Sequence, residues 1–149
     1  LVIVHVGSLP SYRWHGYDAD GLERAWEVAL EAAPFSVITH QARVRKRSWR
    51  TASHREPLAA LADVAIHHPD TERGWAAFKS RIVTVLRKRG VLRVFLGGIW
   101  LYDDGTGCVG HAKEILEQNG FRVTIVQALT GNGDAPIGET NDQAYERLH

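Results

Sequence analysis

The sequence predicts an α/β fold: three layers, α/β/α, built on a mainly parallel sheet of about five strands, Rossmann-like. Three observations lead there. Short apolar segments rich in β-branched residues alternate with segments of helical period. Glycine or proline marks most of the junctions between them. A chain of 149 residues fits a single domain, residues 1–149, with a sizeable core. Strands that alternate with helices pair in parallel, because each crossover returns the chain to the same end of the sheet.

Taken in order, residues 1–6 are predicted as the first strand, ended by Gly7. Residues 8–17 read as a loop, with Pro10, Tyr12, Trp14 and Tyr17. Asp20 is placed as the cap of a helix, with Glu23 at capping-box spacing. Leu22, Trp26, Ala29, Leu30 and Ala33 make its apolar face, and Pro34 ends it. Residues 35–39 form the second strand. A polar, basic and irregular segment follows over residues 41–55. Residues 56–62 form a short helix with Pro57 at its first position. Residues 63–66 are the third strand. Residues 71–88 are a helix with Trp75, Phe78, Ile82, Val85 and Leu86 along one side, ended by Gly90.

The stretch 91–126 organises the remainder. Val91, Val94, Phe95 and Leu96 suit a strand buried on both faces, and Gly97-Gly98 is expected to end it. A helix starts near Thr106 or Gly107, with Val109, Ala112, Ile115 and Leu116 as its apolar face. Asn119-Gly120 stops that helix, and residues 121–126 form the fifth strand. The rest is polar and glycine-rich, with a short helix expected over residues 141–148.

Composition limits the partners. The net charge is +1, so no global field favours nucleic acid or a membrane surface, and neither is expected as a partner. No apolar run is long enough to span a bilayer. Leu1-Val2-Ile3-Val4 is too short for a signal peptide and lacks a basic flank. The single cysteine excludes an internal disulfide and suits a reducing, cytoplasmic location. The chain has no methionine, so its start residue is missing, and the sequence is expected to be either processed or trimmed ahead of Leu1.

In parallel sheets ligands bind beyond the carboxyl ends of the strands. His5 closes the first predicted strand, His40 the second, and His67-His68 the third, with Asp70 beyond it. Asp103, Asp104 and Cys108 follow the fourth, and Gln127 the fifth. A parallel sheet gathers them on one rim, where His, Asp and Cys together mark a site. A histidine at one strand end is more often a hydrogen-bonded core residue, and a free cysteine a small buried hydrophobe. No metal site is predicted, because adjacent His67 and His68 point to opposite faces of a strand. Cys108 falls where a helix begins, and the positive helix end there stabilises a thiolate.

Two further motifs bear on a ligand. Gly105 to Gly110, with Gly107 between them, fits the G-x-G-x-x-G pattern of dinucleotide sites. If the strand ends at Gly98, however, residues 99–104 intervene where that pattern wants a tight turn. Arg43, Arg45, Lys46, Arg47 and Arg50, with Trp49, make a basic loop able to clamp phosphates.

Cys108-Val109, Ala112, Gly120-Phe121 and residues 123–126 together resemble the nucleophile region of the isochorismatase-like cysteine hydrolases. In that family a Cys-Val pair opens a helix after a buried strand. A Gly-aromatic pair follows twelve residues beyond the cysteine, as Gly120-Phe121 does here. The helix of residues 75–88, with Gly90 and a buried strand after it, also resembles the element that precedes the cysteine there. The resemblance covers the C-terminal half and implies a cysteine nucleophile. The family's base is an aspartate at the end of the first strand, where this chain has His5. Its lysine ahead of the middle helix has no counterpart in residues 69–74.

The expected function is therefore a small-molecule hydrolase without a cofactor. Cys108 would attack, His5 (or else His67) would move the proton, and Asp103 or Asp104 would orient a partner. The alternative is a nucleotide- or phosphate-binding module without covalent chemistry. It would hold its ligand with His40, His67, Gly105, Gly107, Arg47 and Arg50. A third reading is an inactive relative kept for assembly as a homo-oligomer, with Trp75 and Trp100 either at the subunit interface or, equally, in the core.

Overall fold

The computed structural model describes residues 1–14, 16–41, 56–68, 72–102 and 105–133. The strands are β1 (Val2–Val4), β2 (Val37–Gln41), β3 (Val64–His68), β4 (Arg93–Tyr102) and β5 (Arg122–Gly133). The helices are α1 (Leu9–Trp14), α2 (Ala19–Ala32), α3 (Glu56–Leu61), α4 (Glu72–Lys88) and α5 (Gly107–Gln118). The five strands form one sheet in the order β3-β2-β1-β4-β5, parallel throughout. This is the α/β, Rossmann-like architecture expected from the alternation of elements.

Side-chain alternation along the strands builds two cores. Val2 and Val4 of β1 point to one face, where they meet Phe78, Ile82 and Leu86 of α4 and Val109, Ala112 and Leu116 of α5. Ile3 points to the other, with Leu22, Trp26 and Leu30 of α2, Leu58 of α3, and Leu9 and Tyr12 of α1. The helices that lead from β1 outward to β3 thus cover one face, and those that return through β4 to β5 cover the other. The strand order reverses between β1 and β4, and it is beyond the carboxyl ends at such a reversal that sheets of this kind bind their ligands.

Several boundaries differ from expectation. Residues 8–17 are not a plain loop: a 3-10 turn, Val6–Ser8, leads into α1, whose Leu9 and Tyr12 are buried one turn apart. The cap of α2 is Asp18, whose carboxylate accepts the Gly21 N–H at 2.8 Å. Asp20 lies inside the first turn and pairs with Arg13 instead. β2 and β3 start later than predicted because Ser36 and Asp63 bind one another at their entry. The Asp63 carboxylate accepts the Ser36 N–H at 2.7 Å, and the Asp63 N–H donates to Ser36 Oγ at 3.3 Å.

The largest correction concerns β4, which runs through Gly97-Gly98 to Tyr102 instead of stopping there. The glycines allow close approach rather than ending the strand. At Gly98, φ is 134°, and a Cβ would collide with the Val4 carbonyl of the neighbouring strand. β5 is correspondingly longer and bulged. Leu96 pairs with Ile125 and Gly98 with Thr130, so residues 126–129 stand opposite Gly97 alone. The Thr130 hydroxyl closes this bulge by donating to the Val126 carbonyl at 2.8 Å. Gln127 therefore lies within β5, on the bulge, and not after the strand. Leu129 turns inward to the core, and its carbonyl accepts the Trp26 indole N–H at 2.8 Å.

Helix ends follow local chemistry. Asn119 closes α5; the Gly120 N–H returns to the Glu117 carbonyl and the Phe121 N–H to that of Leu116, at 3.0 and 3.2 Å. This is a Schellman motif, with Leu116 and Phe121 both buried beneath it. Among the described residues no helix is long and apolar enough to cross a membrane.

Candidate functional site

His5 is the first residue beyond β1, at the strand-order reversal, and it is fully buried. Its backbone is left-handed, with φ 57° and ψ 43°. For a residue with a side chain this costs about 1–3 kcal/mol and is tolerated only where the surroundings enforce it. The surroundings here are two hydrogen bonds. The His5 N–H donates to Thr39 Oγ1 of β2 at 3.0 Å. The His5 carbonyl accepts the Ser8 N–H at 2.9 Å, which closes the 3-10 turn. The chain thus leaves the sheet sharply at His5, and the imidazole is directed to the α4 and α5 side.

There it enters a line of rings. The His5 ring lies 5.3 Å from that of Trp75, in the first turn of α4. Trp75 meets the His111 ring of α5 at 4.6 Å, nearly perpendicular. It also packs edge-on against Phe78 at 5.4 Å. Trp75 thus links the end of β1 with α4 and α5, a role that its place on an apolar helix face did not reveal. His111 stands three residues after Cys108, on the same side of α5. That spacing was the available sequence signal for His111.

Cys108 is the second residue of α5 and is half-buried. The first turn of α5 contains no acidic side chain, so none of its own residues offsets the positive end of the helix. The turn before it is tight. Gly107 has φ 88°, and a Cβ there would press on the Trp100 carbonyl, while one at Gly110 would press on that of Gly105. Because β4 runs to Tyr102, the Gly105–Gly110 pattern joins strand and helix without the long interval that the sequence suggested. A groove of about 550 Å³ passes Gly105, Gly107 and His111 on the outer side of α5. A smaller cavity of about 250 Å³ lies between Tyr102, Gly105, Gln127 and Asn132. Cys108 and His5 line neither.

His40 and His67 form a separate pair. They are register partners on β2 and β3, and their rings stack at 4.8 Å and 12°. His40 is buried and His67 exposed. β3 lies three strand spacings from β4, roughly 14 Å at ~4.8 Å each. His67 thus sits on the edge strand of the sheet away from β4. Asp103, Asp104, Arg47 and Arg50 lie outside the described residues, as do Asp70 and residues 141–148. Among the described residues no group of three His, Cys, Asp or Glu side chains is placed to hold a metal ion.

On the opposite face Tyr12, Tyr17 and Trp100 pack together, with Tyr12 and Tyr17 stacked at 4.7 Å. Burial, then the nearby Tyr17 and Asp18, raise the Tyr12 phenol above its ordinary value of 10.0. The folded chain therefore keeps this proton when the unfolded chain has lost it. Stability from this group is complete below pH 10 and is lost as pH rises beyond it. In urea titrations above pH 10, Tyr12→Phe is expected to lose stability less steeply than the parent; equal slopes would refute the shift.

The fold is α/β and Rossmann-like, with a buried histidine after β1 and a cysteine at the helix start after β4, the strands between which the order reverses. Comparison with protein-family models, with curated proteins and with solved structures finds no match.

Proposed function

We propose that this chain is a hydrolase-like enzyme acting on a C–N or related bond of a small polar molecule, with Cys108 as its nucleophile. One observation supports the reading: in the strand order β3-β2-β1-β4-β5, His5 follows β1 and Cys108, at the start of α5, follows β4, the two strands between which the order reverses. The left-handed backbone of His5 at that place adds support, since such strain gathers at functional sites. The resemblance to isochorismatase-like hydrolases points the same way, with His5 in place of the family's aspartate.

In this reading the thiolate of Cys108 attacks the substrate carbonyl and forms a C–S bond. The developing oxyanion is stabilised at the positive end of α5. His5 passes the proton to the leaving nitrogen as the C–N bond breaks. Water then attacks the thioester, forms a C–O bond and releases Cys108. Small amides and esters are the substrates to screen. Turnover by the parent chain that disappears in Cys108→Ser supports the reading; turnover that persists in Cys108→Ser refutes it.

A second reading has its own observation. The direct passage from β4 through the glycine turn into α5 suits a phosphate at the helix start. A nucleotide-binding module would keep its ligand in Cys108→Ala and lose it in Arg47→Ala and Arg50→Ala.

A further inference from the structure

We infer that Thr39 is a positioning residue for His5, and that it acts through the backbone. The inference rests on the hydrolase reading, in which His5 moves the proton. β1 and β2 pair in register at Val2 with Val37 and Ile3 with Ile38. Beyond that pair β1 ends, and His5 turns into the left-handed region. Its N–H is then held by a side chain of β2, Thr39 Oγ1, at 3.0 Å. Both residues are fully buried. The Thr39 hydroxyl therefore fixes the direction in which the chain leaves the sheet, and with it the placement of the His5 ring against Trp75. A valine at 39 has the same shape and cannot accept that N–H; a serine can.

The test compares the full chain with Thr39→Val and Thr39→Ser. Its first readout is the pH dependence of Cys108 alkylation by iodoacetamide. Its second is the titration of the His5 ring followed by NMR, which needs no reaction at Cys108. In Thr39→Val the alkylation midpoint is expected to rise by about one pH unit, because in the hydrolase reading the displaced His5 no longer serves the thiolate. The His5 titration is expected to move with it. Thr39→Ser restores both. A general loss of stability would not shift these midpoints in the folded protein. If Thr39→Val does not fold, Thr39→Ala, which also removes the acceptor of the His5 N–H, gives the same comparison.

Unchanged midpoints in a folded Thr39→Val or Thr39→Ala would overturn the positioning role and leave the hydrolase reading standing. A parent midpoint at the free-thiol value of about 8.5 would remove the hydrolase reading, and the positioning role with it.

Discussion

Trp26→Ala is expected to destabilise the chain by about 4 kcal/mol, a large share of the roughly 5–15 kcal/mol that holds a domain together. Trp26 is fully buried on α2, and its indole N–H donates to the Leu129 carbonyl at 2.8 Å. That carbonyl belongs to the bulge of residues 126–129, which has no ladder partner on β4 beyond Gly97. Truncation would therefore open a cavity and also strip the acceptor of its donor, each of which costs stability. Trp26→Phe keeps most of the volume and loses only the hydrogen bond, so about 1–2 kcal/mol is expected. Urea unfolding separates the two variants. A loss below about 1 kcal/mol in Trp26→Ala would show that the bulge does not depend on α2.

If the proposed hydrolase reading holds, Cys108→Ser is expected to reduce turnover by roughly 10⁴-fold or more while leaving the fold intact. The hydroxyl is isosteric with the thiol, and the position is half-buried at the start of α5, so packing changes little. The chemistry changes much more, because an alcohol does not ionise near neutral pH as a thiol at a helix start does. Unfolding midpoints that match the parent, together with lost turnover, assign the effect to the sulfur. A parallel loss of stability and activity would make Cys108 a packing residue.

The alternation of strands and helices was legible because buried strands and amphipathic helices leave different periods in a sequence. Parallel pairing followed from that alternation. The strand order did not, since nothing local to β1 says that β2 lies on one side of it and β4 on the other. Gly97-Gly98 misled for a physical reason: glycine ends strands, but it also lets one backbone approach another, and only the position of Val4 decides which. Asp18 and Asp20 both suit the start of α2, and the Gly21 N–H selects the first. Within the candidate site, His5 and Cys108 could be picked out by residue type and place. Thr39 and Trp75 could not, because each acquires its meaning from a neighbour on another element, and His111 left only its three-residue spacing from Cys108 as a signal.

The most direct test of Cys108 as a nucleophile is its alkylation rate by iodoacetamide in the folded chain as a function of pH. A fast reaction with a midpoint well below the free-thiol value of about 8.5 is the expected result. A reaction that waits for denaturant, or a midpoint at or above that value, would contradict the assignment and leave the glycine turn before α5 as a binding element alone.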